Sequence, residues 1–179
     1  QAKDSTVIEQ IGLRGKRFVL STIHRAENVD NEKKMLEILT GLSKIAKETS
    51  VILPVHPRAK SKVEECVRKE ALDNICLIKP LSYLDFTKLI LCADGVITDS
   101  GGVQKEAFFY KRPCVTIREE TEWIETIELG SNVLVSADRD EIYNSWLNCK
   151  FLDVNVFPYG KGDAARKIIG NIVELNLNH

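Results

Sequence analysis

Two rhythms of apolar positions alternate along this chain. Short runs rich in β-branched residues at 17–23, 51–53, 75–78, 95–98, 113–117 and 132–135 read as six buried strands. The stretches between them repeat apolar residues every three or four positions instead. After Asp30 or Asn31, either of which can cap a helix, Met35, Leu36, Leu39, Leu42, Ile45 and Ala46 form one core face. A charged helix is expected over about 61–70, and one opened by Ser82 or Asp85 through Phe86, Leu89, Ile90 and Leu91. Further helices are expected over 103–110 and after Asp138, the latter carrying Ile142, Tyr143, Trp146 and Leu147. Ahead of the first strand, 1–16 is a lead-in with a helix over 5–12, ended by the breakers Gly12 and Gly15.

Strands and helices alternating at this spacing predict the α/β class. The expected architecture is a Rossmann-like three-layer sandwich, a mostly parallel sheet of about six strands covered on both faces, with right-handed crossovers. No repeat, low-complexity tract or long linker divides the chain, so 1–179 is read as a single domain. A glycine-rich turn, Tyr159-Gly160-Lys161-Gly162, opens a last helix over 160–176 with Ile168, Ile169, Ile172, Val173 and Leu175 apolar. That helix either packs on its own domain or crosses to a missing one. The polar start, without Met or strand, leads us to expect a fragment lacking an N-terminal domain.

Composition narrows the function classes. The chain is 44% hydrophobic and 28% charged, ordinary for a soluble domain, and its length suffices for a proper core. No stretch approaches the roughly 20 apolar residues of a membrane span, and none has the layout of a signal peptide, so a cytoplasmic location and no membrane partner are expected. A net charge of -1 without a long basic run argues against nucleic acid. Cys66, Cys76, Cys92, Cys114 and Cys149 show no C-x-x-C spacing and fall mostly in apolar runs, which suits reduced thiols buried as small hydrophobes. The two internal histidines are far apart in sequence without a Cys or Asp cluster, so no metal and no cofactor are expected.

The candidate chemistry lies at strand ends. The fourth strand stops at Asp99-Ser100-Gly101-Gly102 and passes directly into a helix. Free N–H groups and the helix dipole favour an anion there, glycines let a ligand approach the backbone, and Ser100 can add a hydroxyl donor. Glu106, one turn on, can accept from two vicinal hydroxyls of a sugar. A plain capping turn would use the same residues. His24-Arg25-Ala26-Glu27-Asn28 follows the first strand, and Pro54-Val55-His56-Pro57 presents His56 from a stiff loop after the second. Arg118 and Glu122 follow the fifth. In an open parallel sheet these ends share one edge, where ligands bind. Cationic and backbone donors suit phosphates and carboxylates suit hydroxyls, so a phosphorylated sugar is the expected ligand.

Six motifs in order make a resemblance specific: T-x-H-R-x-E-N (22–28), P-x-H-P (54–57), D-S-G-G-x-Q-x-E (99–106), R-E-E-T-E (118–122), N-x-L-V (132–135) and Y-G-x-G-x-A (159–164). Over about 12–175 the chain resembles the C-terminal half of the non-hydrolysing UDP-N-acetylglucosamine 2-epimerases. The resemblance implies the second domain of a GT-B fold, a UDP-sugar ligand and a homodimeric full-length protein. It implies His24 as the catalytic residue assisting departure and return of UDP. It implies Ser100, Gly101 and Gly102 on the phosphates, Glu106 on the ribose, Arg25 and His56 on nucleotide sugar, and Glu27, Asn28, Gln104 and Glu122 in the same UDP-sugar site. Trp123 stands where many bacterial members carry an arginine credited with a UDP contact. A GT-B glycosyltransferase, a hydrolysing epimerase and a non-catalytic nucleotide-sugar-binding module use the same half and stay open at this point.

Overall fold

The computed structural model describes residues 1–151 and 156–177. Six strands, β1 (Phe18–Thr22), β2 (Ser50–Pro54), β3 (Ile75–Ile78), β4 (Gly95–Thr98), β5 (Cys114–Ile117) and β6 (Asn132–Val135), form one sheet in the order β3-β2-β1-β4-β5-β6. All its pairings are parallel. The helices are α1 (Val7–Gln10), α2 (Ala26–Val29), α3 (Glu32–Ile45), α4 (Lys60–Lys69), α5 (Tyr83–Cys92), α6 (Gly101–Phe109), α7 (Ile124–Glu128), α8 (Arg139–Asn148) and α9 (Ala164–Leu177). The expected Rossmann-like layering is therefore present.

Alternation along the strands sorts the core into two layers. Val19, Val51, Leu53, Ile97, Val115 and Ile117 face the layer filled by Leu39, Leu42 and Ile142 of α3 and α8. Leu20, Ile52, Val96 and Cys114 face the other, with Leu89 and Ile90 of α5 and Ala107 of α6. Both faces of β1 are shut, with Val19 and Leu20 at 0% exposure, so each contributes the roughly 1.5–3 kcal/mol of a fully buried aliphatic side chain. At Gly95 the packing leaves no room for a side chain: a Cβ would stand 2.6 Å from the Trp146 ring.

Helix starts follow the capping residues. Asn31, Ser82, Ser100 and Asp138 each accept from an N–H of the first turn. The Ser100 cap makes α6 begin at Gly101, two residues ahead of the expected start at 103. Within α3, Ile38 is fully buried whereas Leu36 is only half-buried. The thiols depart from expectation: only Cys114 is buried, Cys66 and Cys149 are intermediate, and Cys76 and Cys92 are exposed. Cys76 lies on the edge strand β3 and Cys92 at the outer end of α5, where an apolar run does not fix which face is covered.

The strand order reverses between β1 and β4, which pair directly through Thr22 and Thr98. This switch point opens a crevice at the C-terminal strand ends and brings the turn after β1 beside the turn after β4. Among the described residues, no helix is long and apolar enough to cross a membrane, and no cluster of His, Cys, Asp or Glu is placed to hold a metal ion.

Candidate functional site

At the crevice, the carboxylate of Asp99 is fully buried and surrounded by donors. It accepts from the backbone N–H of His24 at 3.1 Å, from that of Arg25 at 3.0 Å and from Asn28 Nδ2 at 3.1 Å. His24 Nδ1 lies 2.9 Å from Oδ1, the oxygen that also accepts from the His24 N–H. Burial alone would raise the Asp99 pKa, but hydrogen bonds from His24, Asn28 and the Arg25 N–H outweigh it and hold the group below its ordinary range. The hydrogen bond to Asp99 in turn raises the His24 pKa, against desolvation and the neighbouring Arg25 charge. Half of the His24 side chain is exposed, at 49%.

Ser100 caps α6 through its hydroxyl, which accepts from Val103 N at 3.5 Å. Gly101 is partly covered: a Cβ there would lie 3.3 Å from Glu122 Oε2. Gly102 is exposed, and a Cβ would meet only Ser100 Oγ at 4.0 Å. The free N–H groups of the α6 first turn therefore open beside His24. A cavity of about 210 Å³ runs along this side, lined by His24, Pro54, His56, Pro80, Ser100 and Val103. His56 is exposed, its Nδ1 accepting from Arg58 N at 3.3 Å. Glu106, half-buried on α6, has its pKa raised by burial, with a hydrogen bond from Tyr83 acting against the shift.

On the β5 and β6 side of the same edge lies a cavity of about 660 Å³. Arg25, Glu27, Lys34 and Arg118 are among its lining residues, and Arg25 pairs with Glu27 at 3.4 Å. The buried Arg118 guanidinium grips Glu122 through two bonds, 2.7 and 3.0 Å, which hold the Glu122 carboxyl down at about 2. Trp123 donates its indole N–H to the Gly101 carbonyl at 2.7 Å, and Lys105 Nζ sits 4.2 Å above its ring.

The strand-end residues His24, Arg25, Glu27, His56, Ser100, Gly101, Gly102 and Glu122 are thus at one edge, with Glu106 one turn inward. Asn28 also lines the larger cavity, with its amide engaged by Asp99, whereas Gln104 is turned inward. Asn28 is buried against Asp99, and Gln104 is buried behind α6, where its Oε1 accepts from Thr121 Oγ1 at 2.7 Å and Asn132 Nδ2 at 3.2 Å. Asp99 and Trp123 had no ligand-site role from sequence. A lone aspartate closing an otherwise apolar strand was the available signal for the first; for the second it was the resemblance, which sets Trp123 where many bacterial members carry an arginine.

A protein-family model described as UDP-N-acetylglucosamine 2-epimerase matches residues 1–173. The chain is 41% identical over 170 residues to the UDP-N-acetylglucosamine 2-epimerase of Methanococcus maripaludis, covering 89% of this chain and 45% of that protein. It is 40% identical over 161 residues to the UDP-2,3-diacetamido-2,3-dideoxy-D-glucuronate 2-epimerase of Pseudomonas aeruginosa, covering 88% and 45%. The crystal structure of Methanocaldococcus jannaschii UDP-GlcNAc 2-epimerase in complex with UDP-GlcNAc and UDP matches with a TM-score of 0.80 at 32% identity, covering 97% of this chain and 50% of the other. The chain spans about half the length of the curated relatives it matches.

Proposed function

This chain belongs to the UDP-N-acetylglucosamine 2-epimerase family, and from that premise we propose that it is the UDP-binding half of an enzyme that interconverts UDP-GlcNAc and UDP-ManNAc. The observation that carries the reading is the opening of the α6 N-terminus beside His24 at the sheet's switch point. Backbone N–H groups of the first α6 turn hold the diphosphate, with Ser100 beside them and no Cβ at Gly101 or Gly102 in the way. Glu106 accepts from the ribose hydroxyls, and Arg25 and His56 meet the nucleotide sugar.

In the proposed reaction a base takes the C2 proton, the C1–O bond breaks with its electron pair leaving on UDP, and a C1–C2 double bond forms. UDP then returns to C1 as a proton is delivered to the opposite face of C2. His24 and the α6 terminus stabilise the leaving diphosphate electrostatically. The bases belong to an N-terminal domain outside this chain, facing it across a GT-B cleft. The last helix crosses to that domain, a reading supported by its exposed Ile168, Ile169, Ile172 and Val173. Cytoplasmic residence and a homodimeric full-length protein are part of the same proposal. The relatives' names cover two differently substituted sugars, so the substrate class is a UDP-linked 2-acetamido sugar, with UDP-GlcNAc its first candidate.

Thermal melting with UDP, ADP and CMP tests the nucleotide site. UDP at 100 times its Kd adds about 2.7 kcal/mol, roughly 5–10 °C for a domain of this size. A shift with UDP and not with the others is expected; equal shifts with all three, or none, would count against a uridine site in this half. UDP-ManNAc formed from UDP-GlcNAc by the chain alone would refute the placement of the bases elsewhere.

A further inference from the structure

We propose that Asp99 is a positioning residue for His24, turning Nδ1–H inward and leaving Nε2, which carries a proton when the ring is charged, as the donor to the diphosphate; the second half of this statement rests on the function proposed above. Asp99 has no exposed surface and is held by donors from the turn that carries His24. The His24 and Arg25 N–H groups and Asn28 Nδ2 fix the carboxylate, and one of its oxygens is then 2.9 Å from His24 Nδ1. A carboxylate has no proton to give, so Nδ1 is the donor in this contact in either charge state of the ring. Nε2 is the nitrogen left for a ligand, on a side chain that is half exposed. The same contact favours the imidazolium, and a charged donor makes a hydrogen bond to an anion about twice as strong as a neutral one. The charged groups that bear on the ring are Asp99 from the turn after β4 and Arg25 from its own turn, which acts the other way. His56 from the turn after β2 and Ser100 share its cavity. Asn28 is then part of the device at one remove, because it orients Asp99.

The test is nitrogen-15 NMR of the imidazoles in the 179-residue chain, with His24 assigned by its loss in His24→Gln. Expected in the unsubstituted chain are a protonated Nδ1 at every pH and a titration above 6.5, the ordinary value. In Asp99→Asn the titration is expected to fall to 6.5 or below. UDP affinity at pH 7 is expected to drop at least about tenfold, and to recover as the pH is lowered until the ring is charged again. A merely structural role for Asp99 would not restore affinity with acid. An unchanged His24 titration in Asp99→Asn, with UDP binding intact, would overturn the Asp99 assignment alone. Absence of UDP binding by the unsubstituted chain would overturn the diphosphate role together with the proposed function. Should Asp99→Asn fail to fold, the tautomer in the unsubstituted chain decides, since a deprotonated Nδ1 in the neutral ring would overturn the proposal.

Discussion

Replacing Gly102 by alanine separates what helix α6 favours from what the proposed ligand needs. Gly102 lies in the first turn of α6 and does not have a left-handed φ. An added Cβ would meet nothing closer than Ser100 Oγ at 4.0 Å. On helix propensity alone, alanine is better than glycine by up to about 1 kcal/mol, which is a rise in Tm of about 2–4 °C for a domain of this size. A phosphate on the α6 terminus has to approach the N–H groups to about 2.9 Å, and a methyl group at 102 stands in that path. Losing one hydrogen bond to a charged group costs about 1.5–3 kcal/mol, or about ten- to a hundredfold in Kd. Gly102→Ala is therefore expected to melt higher and to bind UDP more weakly, the two effects moving in opposite directions. Melting scans and titration calorimetry with UDP read both quantities on the same preparation. Unchanged UDP affinity in a variant that melts as high as the parent or higher would refute the phosphate site. At Gly101 the contrast is different: a Cβ 3.3 Å from Glu122 Oε2 must displace that carboxylate, so no gain in stability is expected there.

In the proposed site Glu106 is to accept ribose hydroxyls as a carboxylate, and burial raises its pKa above 4.5. UDP affinity is accordingly expected to fall as the pH is lowered through that raised value, and Glu106→Gln to abolish the dependence while weakening binding about tenfold, both by calorimetry. Thiol labelling followed by mass spectrometry is expected to modify the exposed Cys76 and Cys92 first. Cys114, buried and pushed up to about 12, is expected to react only on unfolding. Trp123→Arg removes the indole bond to Gly101 O and sets a second cation beside Lys105, with an expected loss of about 1–3 kcal/mol by denaturant melting. Lys105→Glu in the same chain is expected to recover part of that loss, with a coupling of about 0.5–3 kcal/mol; strict additivity would show that the two side chains do not interact.

Strands were the most legible part of the chain, because both faces of a central parallel sheet are buried and the apolar runs are correspondingly unbroken. The expected spans for β3, β4 and β6 coincide with the observed ones. Caps were legible where a short polar side chain precedes an apolar rhythm, as at Ser82 and Asp138. The short helix α2 was not: its four residues are too few to show a period, and its turn is held by Asp99, far away in sequence. The same non-local cause hides the difference between Glu27, which is exposed at the crevice, and Asn28, which lines the same cavity but has its amide buried against Asp99. For Gln104 the direction around the helix decides: Glu106 is directed toward Tyr83 of α5, whereas Gln104 is directed into the polar contacts of Thr121 and Asn132. Which side of α6 is covered depends on the loop after β5, and nothing within 99–106 states it.

The residues at the crevice share a pattern that bears on how such a site can act. In the proposed site, several of the groups offered to a ligand are held in place by other residues of the fold. His24 is held by Asp99, and Ser100 by its own cap bond to Val103. Gly101 is held at its carbonyl by Trp123, while Arg118 and Glu122 hold each other beside it. Such anchoring removes the reorganisation that a loop of free donors would need when charge develops on a leaving diphosphate, which is where preorganised dipoles act most effectively. It also accounts for the buried aspartate: a carboxylate would be costly to bury at that depth without the donors that surround it. The stability cost of Asp99 and the positioning of His24 are then one arrangement, and a change that relaxes the first is expected to loosen the second.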